Sequence, residues 1–402
     1  MLKHVQPKHA LPDLAQFGGA PLFAEKRFVG RPNLAPTDEI LTDIRTILDQ
    51  RWLSNDGPYL KEFEAQLAQS LGVKHCIAVS NGTIGLELLI RALNLTGEVI
   101  VPSFTFIATV HALQWLGLTP VFCDILPETH TLDPQSVKAL ITPHTSAILG
   151  VHLWGLPCEI EALETLAEQH GLKLIFDAAH ALLCDYHGRK LGNFGHAEVF
   201  SFHATKFVNS LEGGAITTND DTLAERLRLM RNFGFVDYDQ VEALGINAKM
   251  NEVCAAVGLS SLRHSSTFIA HNRNNYNLYQ TQLEKLPGLK LLPLPENSNF
   301  QYVVLELDTA KFGLSRDQLV QLLHAENLIA RRYFYPGCHR AKPYVTLYPT
   351  AGKHLPVTEA LTEKVLLLPT GTAVSAEMIE AIGELVAFIQ AHAAEVQQTL
   401  SD

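Results

Sequence analysis

Short apolar runs alternate along this chain with stretches in which apolar positions recur at helical spacing. The helical stretches fall between most of the runs, for example at 84–93, 108–116 and 160–170. The runs have the length of buried strands and lie at 75–79, 98–101, 119–123, 147–151, 172–176, 199–202 and 215–218. This alternation predicts an α/β fold with a mainly parallel seven-stranded sheet and helices on both of its faces.

The pattern differs at the two ends of the chain. Residues 1–30 show little periodicity, and helical spacing first appears at 36–50 and again at 58–71. After residue 264 helices and strands no longer alternate regularly. Helices are predicted there at 265–286, 315–326 and 376–396, and strands at 302–307 and 328–335. We therefore predict an N-terminal arm at 1–30, a large α/β/α domain at 31–264 and a smaller α+β domain at 265–402.

Composition narrows the class of protein. The chain has 402 residues, of which 47% are hydrophobic and 18% charged, as in globular proteins with a large core. No run of 18 apolar residues is present, so no membrane partner is expected, and the N-terminus lacks the features of a signal peptide. The net charge of −11 argues against nucleic-acid binding. Six scattered cysteines without a CxxC pair favour a reduced, cytoplasmic protein.

Lys206 is the only lysine in the stretch EVFSFHATKFVNSLEGGAITTN at 198–219. It follows a run with the character of a buried strand, where an unpaired ammonium is unfavourable. A lysine that binds an aldehyde cofactor covalently would explain this position. The alternative is a lysine whose stem packs on apolar neighbours while its ammonium reaches water.

Two further positions lie where strands are predicted to end. Ser80-Asn81-Gly82-Thr83 precedes a predicted helix, whose free backbone N–H groups and hydroxyl could bind a phosphate, although an ordinary N-cap is the alternative. Asp177 ends the run 172–176, and the carboxyl end of a parallel strand faces the crevice in which α/β proteins bind ligands. An N-cap is the alternative for Asp177 as well.

Other chemistries find little support in the sequence. His180, Cys184 and His187 do not match a common zinc spacing and lack a fourth ligand nearby, so no metal is predicted. The GxGxxG, GxxxxGK[ST] and GxSxG motifs do not occur in the contexts that nicotinamide, P-loop or hydrolase chemistry requires. A phosphate site, a strand-end aspartate and a lysine are together what a pyridoxal 5′-phosphate site requires.

The chain resembles the DegT/DnrJ/StrS family of pyridoxal-phosphate-dependent sugar aminotransferases over essentially its whole length. The order and spacing of several stretches carry the resemblance. These stretches are RWLSNDGPYLKEFE at 51–64, SNGTIGLELLIRAL at 80–93, VPSFTFIAT at 101–109, FDAAHA at 176–181, SFHATK at 201–206, EGGAITTND at 212–220 and GINAKMNEVCAAVGLSSL at 245–262. The resemblance implies fold type I, the aspartate aminotransferase-like architecture.

The resemblance also implies roles for individual residues. Lys206 would hold the cofactor covalently and move the proton between the substrate carbon and the cofactor C4′. Asp177 would pair with the pyridine nitrogen, and Phe106 would stack on the cofactor ring. His180 would lie near the phenolic oxygen of the cofactor, where the family more often has glutamine.

The remaining implied roles concern the cofactor phosphate. Gly82 and Thr83 would bind it through their backbone N–H groups, and Ser201 through its hydroxyl. Asn247 would reach it from a partner subunit, which implies a homodimer with shared active sites. A related dehydratase branch carries histidine in place of the lysine, so the intact Lys206 favours transamination.

The implied reaction moves an amino group from L-glutamate to a nucleotide-linked keto-deoxysugar, as in O-antigen/lipopolysaccharide biosynthesis. The sequence is most similar to aminotransferases that convert dTDP-4-dehydro-6-deoxy-D-glucose into dTDP-4-amino-4,6-dideoxy-D-glucose. The alternatives are a 3-keto-sugar or a UDP/GDP-sugar aminotransferase of the same family, or a regulatory relative that binds the cofactor without turnover. A nucleotide-linked sugar carries a diphosphate, which a cluster of basic side chains would bind. The candidates, which could instead be ordinary surface charges, are Lys249, Arg331, Arg332, His339 and Arg340.

Overall fold

The computed structural model describes residues 8–401. Its strands are β1 (Arg27–Phe28), β2 (His75–Val79), β3 (Glu98–Pro102), β4 (Thr119–Cys123), β5 (Thr145–Val151), β6 (Lys173–Asp177), β7 (Asp185–Tyr186), β8 (Arg189–Lys190), β9 (Ala197–Ser201), β10 (Gly214–Thr218), β11 (Phe235–Asp237), β12 (Gln240–Val241), β13 (Leu289–Leu291), β14 (Val303–Leu307), β15 (Leu328–Ile329) and β16 (Val365–Leu368).

The helices that connect these strands vary from one turn to five turns in length. They are α1 (Thr37–Gln50), α2 (Pro58–Leu71), α3 (Gly82–Ala92), α4 (Ile107–Trp115), α5 (Pro134–Leu140), α6 (Ile160–His170), α7 (Asp221–Arg231), α8 (Glu252–Arg263), α9 (Ser265–Leu283), α10 (Thr309–Phe312), α11 (Arg316–Ala325), α12 (Lys342–Leu347), α13 (Pro356–Thr362), α14 (Ala376–Ala391) and α15 (Ala393–Ser401).

A seven-stranded sheet in the order β2-β10-β9-β6-β5-β3-β4 forms the centre of the fold. Strand β10 runs antiparallel to both of its neighbours, whereas the pairs from β9 to β4 are all parallel. The ends of the seven strands in this sheet lie within two residues of the ends of the seven predicted runs. The predicted α/β class with a mainly parallel sheet is therefore confirmed.

Alternate residues of each strand serve different layers of the core. Ile77 and Val79 belong to an apolar cluster with α3, α4 and α7, whereas Cys76 and Ala78 face a second cluster with α2 and α8. Successive side chains of a strand point to opposite faces of the sheet, and here both faces are buried because helices cover both of them.

The C-terminal part has its own antiparallel sheet, β13-β14-β16, with a core that includes residues of α9, α11 and α14. Leu14 and Phe23 of the predicted arm are buried in that core. The carboxylate of Glu326 accepts hydrogen bonds from the backbone N–H groups of Ala15 and Leu22, at 2.7 and 2.6 Å. These contacts attach the segment to the C-terminal part. The division of the chain into an arm and two domains stays a prediction.

Two predicted elements differ from the structure. The strand predicted at 328–335 ends at Ile329, because the segment turns back through hydrogen bonds from Tyr335 N to the Arg332 carbonyl and from Gly337 N to the Phe334 carbonyl. The helix predicted at 376–396 is interrupted at His392, whose side chain hydrogen-bonds the Phe388 carbonyl at 2.9 Å. Within the described chain, no helix has the length and apolarity needed to cross a membrane.

Candidate active site

A cavity of about 520 Å³ lies at the edge where β2, β3, β6 and β9 end. This volume is typical of small-molecule sites, and the location is typical of ligand binding in α/β sheets. The predicted site residues that line it are Gly82, Thr83, Phe106, Asp177, His180, Ser201 and Lys206. The fold thus brings together side chains that are separated by more than a hundred positions in the sequence.

Lys206 lies in the turn between β9 and β10 and is partly buried. Its Nζ donates a hydrogen bond to the hydroxyl of Tyr302 at 3.2 Å. Burial lowers the pKa of Lys206 to about 8, although the negative charge of Asp177 acts in the opposite direction. A neutral amine is therefore much more accessible at Lys206 than at a surface lysine.

Asp177 is the last residue of β6 and is buried. One carboxylate oxygen accepts a hydrogen bond from Thr109 Oγ1 at 2.8 Å, and the other accepts one from the Ala179 backbone N–H at 3.0 Å. Burial raises the pKa of Asp177, while these hydrogen bonds and the charge of Lys206 oppose the rise. A cationic group in the cavity would stabilise this carboxylate in its charged form.

His180 is buried beside Asp177, and burial holds its pKa well below the usual range. Its imidazole is therefore neutral near pH 7. Its ring centroid lies 4.4 Å from that of Tyr302 and 5.5 Å from that of Trp154. Among residues 8–401 its Nδ1 has no hydrogen-bond partner, which leaves a buried polar atom that a ligand could satisfy.

The start of α3 forms the opposite end of the cavity. Asn81 caps this helix by accepting a hydrogen bond from Ile84 N at 2.9 Å. The backbone N–H groups of Gly82 and Thr83 have no acceptor in the described part of the chain. A Cβ at Gly82 would lie 3.2 Å from the Ser201 Cβ, so glycine permits the close approach of the two segments. This end has the character of an anion site.

Phe106 and Asn247 occupy more open positions. Phe106 immediately precedes α4, and 57% of its surface is exposed, so one side of the ring is free to contact a ligand in the cavity. Asn247 is exposed and does not line the cavity; its backbone bridges to Asn232 instead. A role for Asn247 in a second chain's site stays a prediction.

Most of the predicted basic candidates are already paired. Four of the five have acidic or amide partners: His339 and Arg340 contact Glu359, Arg332 contacts Asp317, and Lys249 contacts Asn232. The Arg331 guanidinium instead lies 4.9 Å from the ring centre of Tyr333, a residue that lines the cavity. Because it has no acidic or amide partner among these contacts, Arg331 is the candidate most available to bind a substrate diphosphate.

Several cavity residues were not predicted from the sequence. Tyr302, Tyr333 and Phe334 come from the C-terminal part and close one side of the cavity. Trp154 lies behind this wall, and its ring stacks on Phe334 at a centroid distance of 5.3 Å. Thr109 belongs to the stretch 101–109 that carries the family resemblance, but no feature of the sequence predicts its contact with Asp177. Within residues 8–401, no group of three or more potential metal ligands is found.

Comparison with known proteins gives a consistent result. The model of the DegT/DnrJ/EryC1/StrS aminotransferase family matches residues 35–387. The chain is 37% identical over 362 residues to the dTDP-4-amino-4,6-dideoxy-D-glucose transaminase of Escherichia coli, which covers 89% of this chain and 97% of that protein. It is 36% identical over 330 residues to the GDP-perosamine synthase of Caulobacter vibrioides, which covers 80% of this chain and 88% of that protein.

A solved structure is similar over nearly the whole fold. The crystal structure of DesI in the presence of its TDP-sugar product matches with a TM-score of 0.92 and 46% sequence identity, covering 98% of this chain and 100% of that one. The predicted family resemblance is thus confirmed by both sequence and fold. This chain belongs to the DegT/DnrJ/EryC1/StrS aminotransferase family.

Proposed function

We propose that this chain uses pyridoxal 5′-phosphate to move an amino group from L-glutamate to dTDP-4-dehydro-6-deoxy-D-glucose, giving dTDP-4-amino-4,6-dideoxy-D-glucose. The observation that carries the proposal is that Lys206, Asp177 and the start of α3 open into one cavity. A covalent anchor, a carboxylate and an anion site are the three groups that this cofactor requires.

The residues of the cavity fit the cofactor in detail. Asp177 is a buried carboxylate whose pKa is raised by burial, and a protonated ring nitrogen would stabilise its charged form. The unpartnered Nδ1 of His180 could bind the phenolic oxygen. The free N–H groups of Gly82 and Thr83, with the hydroxyl of Ser201 nearby, could bind the phosphate.

When bound, pyridoxal 5′-phosphate supplies an aldehyde for the amino group and an electron sink for the adjacent carbon. Lys206 provides the amine, whose lowered pKa allows it to accept a proton from the substrate carbon near neutral pH. Asp177 would stabilise a positive charge on the ring nitrogen, and the exposed ring of Phe106 would orient the cofactor by stacking.

The choice of sugar rests on similarity. The transaminase of Escherichia coli is named for the same 4-amino sugar, and the DesI structure was determined in the presence of its TDP-sugar product. GDP-perosamine synthase, at 36% identity, supports a GDP-sugar as the alternative. A 3-keto or UDP-linked sugar and a regulatory role without turnover are further alternatives, which the same experiment distinguishes.

We extend the proposal to a homodimer in which Asn247 of each chain contacts the phosphate in the other chain's site. The segment that precedes Asn247 carries exposed apolar side chains, including Val241 and Leu244. Such surfaces commonly mark protein interfaces. A cytoplasmic location is proposed because all six cysteines are unpaired.

A half-reaction screen tests the proposed function. The cofactor-loaded protein is first treated with L-glutamate and freed of small molecules, which should change its absorbance from the lysine-bound to the aminated form. Nucleotide-linked 3-keto and 4-keto sugars are then added one at a time. We expect dTDP-4-dehydro-6-deoxy-D-glucose to restore the starting spectrum fastest. Faster restoration by a GDP- or UDP-sugar would replace the proposed substrate, and no response to glutamate would reject transamination.

A further inference from the structure

Tyr302 is a cavity residue that neither the sequence pattern nor the family resemblance assigned to the site. It immediately precedes β14, lies 96 positions after Lys206 in the chain, and is buried. Its hydroxyl oxygen lies 3.2 Å from Lys206 Nζ, and the ring centre lies 5.8 Å from the same atom. No other hydrogen bond of the Lys206 ammonium occurs within the described residues.

The phenol ring is held in a fixed position by neighbouring aromatic rings. It packs edge-on against Trp154 at a centroid distance of 5.3 Å and lies 4.4 Å from the ring of His180. Trp154 is completely buried and has φ of +61°, a backbone conformation that a bulky residue adopts only when its surroundings impose it. Its Nε1–H donates to His130 Nδ1 at 3.2 Å. These packing contacts hold the hydroxyl of Tyr302 in a fixed position beside Lys206.

The protonation state of Tyr302 is also determined by its environment. Burial raises the pKa of Tyr302 well above its usual range, so the phenol keeps its proton throughout the pH range in which lysine titrates. Its oxygen can then act as an acceptor for an ammonium without itself becoming charged. The titratable groups that share the cavity with Lys206 are Asp177, His180, His203, Glu212, Tyr302 and Tyr333.

We propose that Tyr302 is a catalytic residue whose phenol oxygen accepts a hydrogen bond from the protonated amine of Lys206 during proton transfer. The proposal rests on the function proposed above, in which the Lys206 amine takes a proton from the substrate carbon. That proton converts the amine into an ammonium, one N–H of which donates to Tyr302. When the ammonium gives the proton up, the hydrogen bond weakens, and Tyr302 has neither gained nor lost a proton.

A hydrogen bond to an ammonium should be visible in the titration of Lys206 even without cofactor. Cofactor-free wild type and Tyr302→Phe are labelled with limiting acetic anhydride across the pH range of amine titration, and the peptide containing Lys206 is quantified by mass spectrometry. Phenylalanine keeps the ring contacts and removes only the acceptor oxygen. We expect the pKa of Lys206 to fall by about one pH unit in Tyr302→Phe, because an acceptor for the charged form is lost.

Tyr333→Phe is the matched control for this titration. It removes a second phenol from the same cavity, one without a hydrogen bond to Lys206. The Lys206 titration should therefore be unchanged in Tyr333→Phe. An unchanged or raised pKa of Lys206 in Tyr302→Phe would overturn the proposal, as would an equal fall in both variants.

A second measurement separates this proposal from the proposed function. With cofactor and substrates, Tyr302→Phe should have a kcat lowered about tenfold and an unchanged Kd for pyridoxal 5′-phosphate. A shifted Lys206 titration with unchanged kcat would overturn the catalytic role and leave the contact in place. If wild type transfers no amino group while the Lys206 titration shifts as expected, the proposed function fails, and the catalytic role of Tyr302 fails with it.

Discussion

Replacement of Lys206 by methionine should stabilise the cofactor-free protein. Burial lowers the pKa of Lys206 from 10.5 to about 8, which corresponds to about 3 kcal/mol. Below the folded-state pKa both the folded and unfolded chains carry the ammonium, so the folded protein is destabilised by the full amount. This destabilisation decreases as the pH rises through about 8 and is gone above the unfolded-state pKa. Methionine has a similar length and no charge.

The assay is thermal unfolding of cofactor-free wild type and Lys206→Met at several pH values. At pH 7 the variant should be more stable by up to about 3 kcal/mol, and the two melting temperatures should converge as the pH rises. Lys206→Arg serves as the control, because a guanidinium stays charged and should keep its destabilising effect at every pH. Equal stability at pH 7, or a difference that grows with pH, would refute the reasoning.

Three further predictions concern contacts of the cavity and of the N-terminal segment. Asp177→Asn removes a buried charge and should lower kcat by about 10²- to 10⁴-fold in steady-state assays. Thr109→Val removes only one hydrogen bond to Asp177 and should lower kcat by less in the same assays. Phe106→Ala should weaken cofactor binding by up to about tenfold in fluorescence titrations without changing the melting temperature of the cofactor-free protein, because this ring is largely exposed. Glu326→Ala leaves Lys8 buried without its 2.9 Å partner and should destabilise the protein by about 3–5 kcal/mol in denaturant unfolding.

Those parts of the fold that depend on local periodicity could be predicted from the sequence. The strands of the central sheet are continuous apolar runs, because parallel strands are buried on both faces. Asp177 and Lys206 stood out because each polar side chain follows such a run. The prediction of a strand at 328–335 was wrong beyond Ile329, since an apolar and aromatic segment can also turn back to line a cavity.

Contacts between distant segments could not be predicted in the same way. Thr109 lies within the apolar pattern of α4, and its hydroxyl meets Asp177 from 68 positions away. Tyr302 begins a strand-like run and meets Lys206 only because the C-terminal part folds over the edge of the sheet. The role of Asn247 depends on a second chain, so no property of one sequence determines its distance from the site.

The most direct test of the central claim follows the amino nitrogen itself. L-Glutamate labelled at its amino nitrogen is incubated with dTDP-4-dehydro-6-deoxy-D-glucose, pyridoxal 5′-phosphate and either wild type or Lys206→Ala. We predict that mass spectrometry will find the labelled nitrogen in the dTDP-sugar product of wild type and none with Lys206→Ala. An unlabelled sugar with wild type, or equal labelling with both proteins, would contradict the assignment of Lys206 as the residue that carries the transfer.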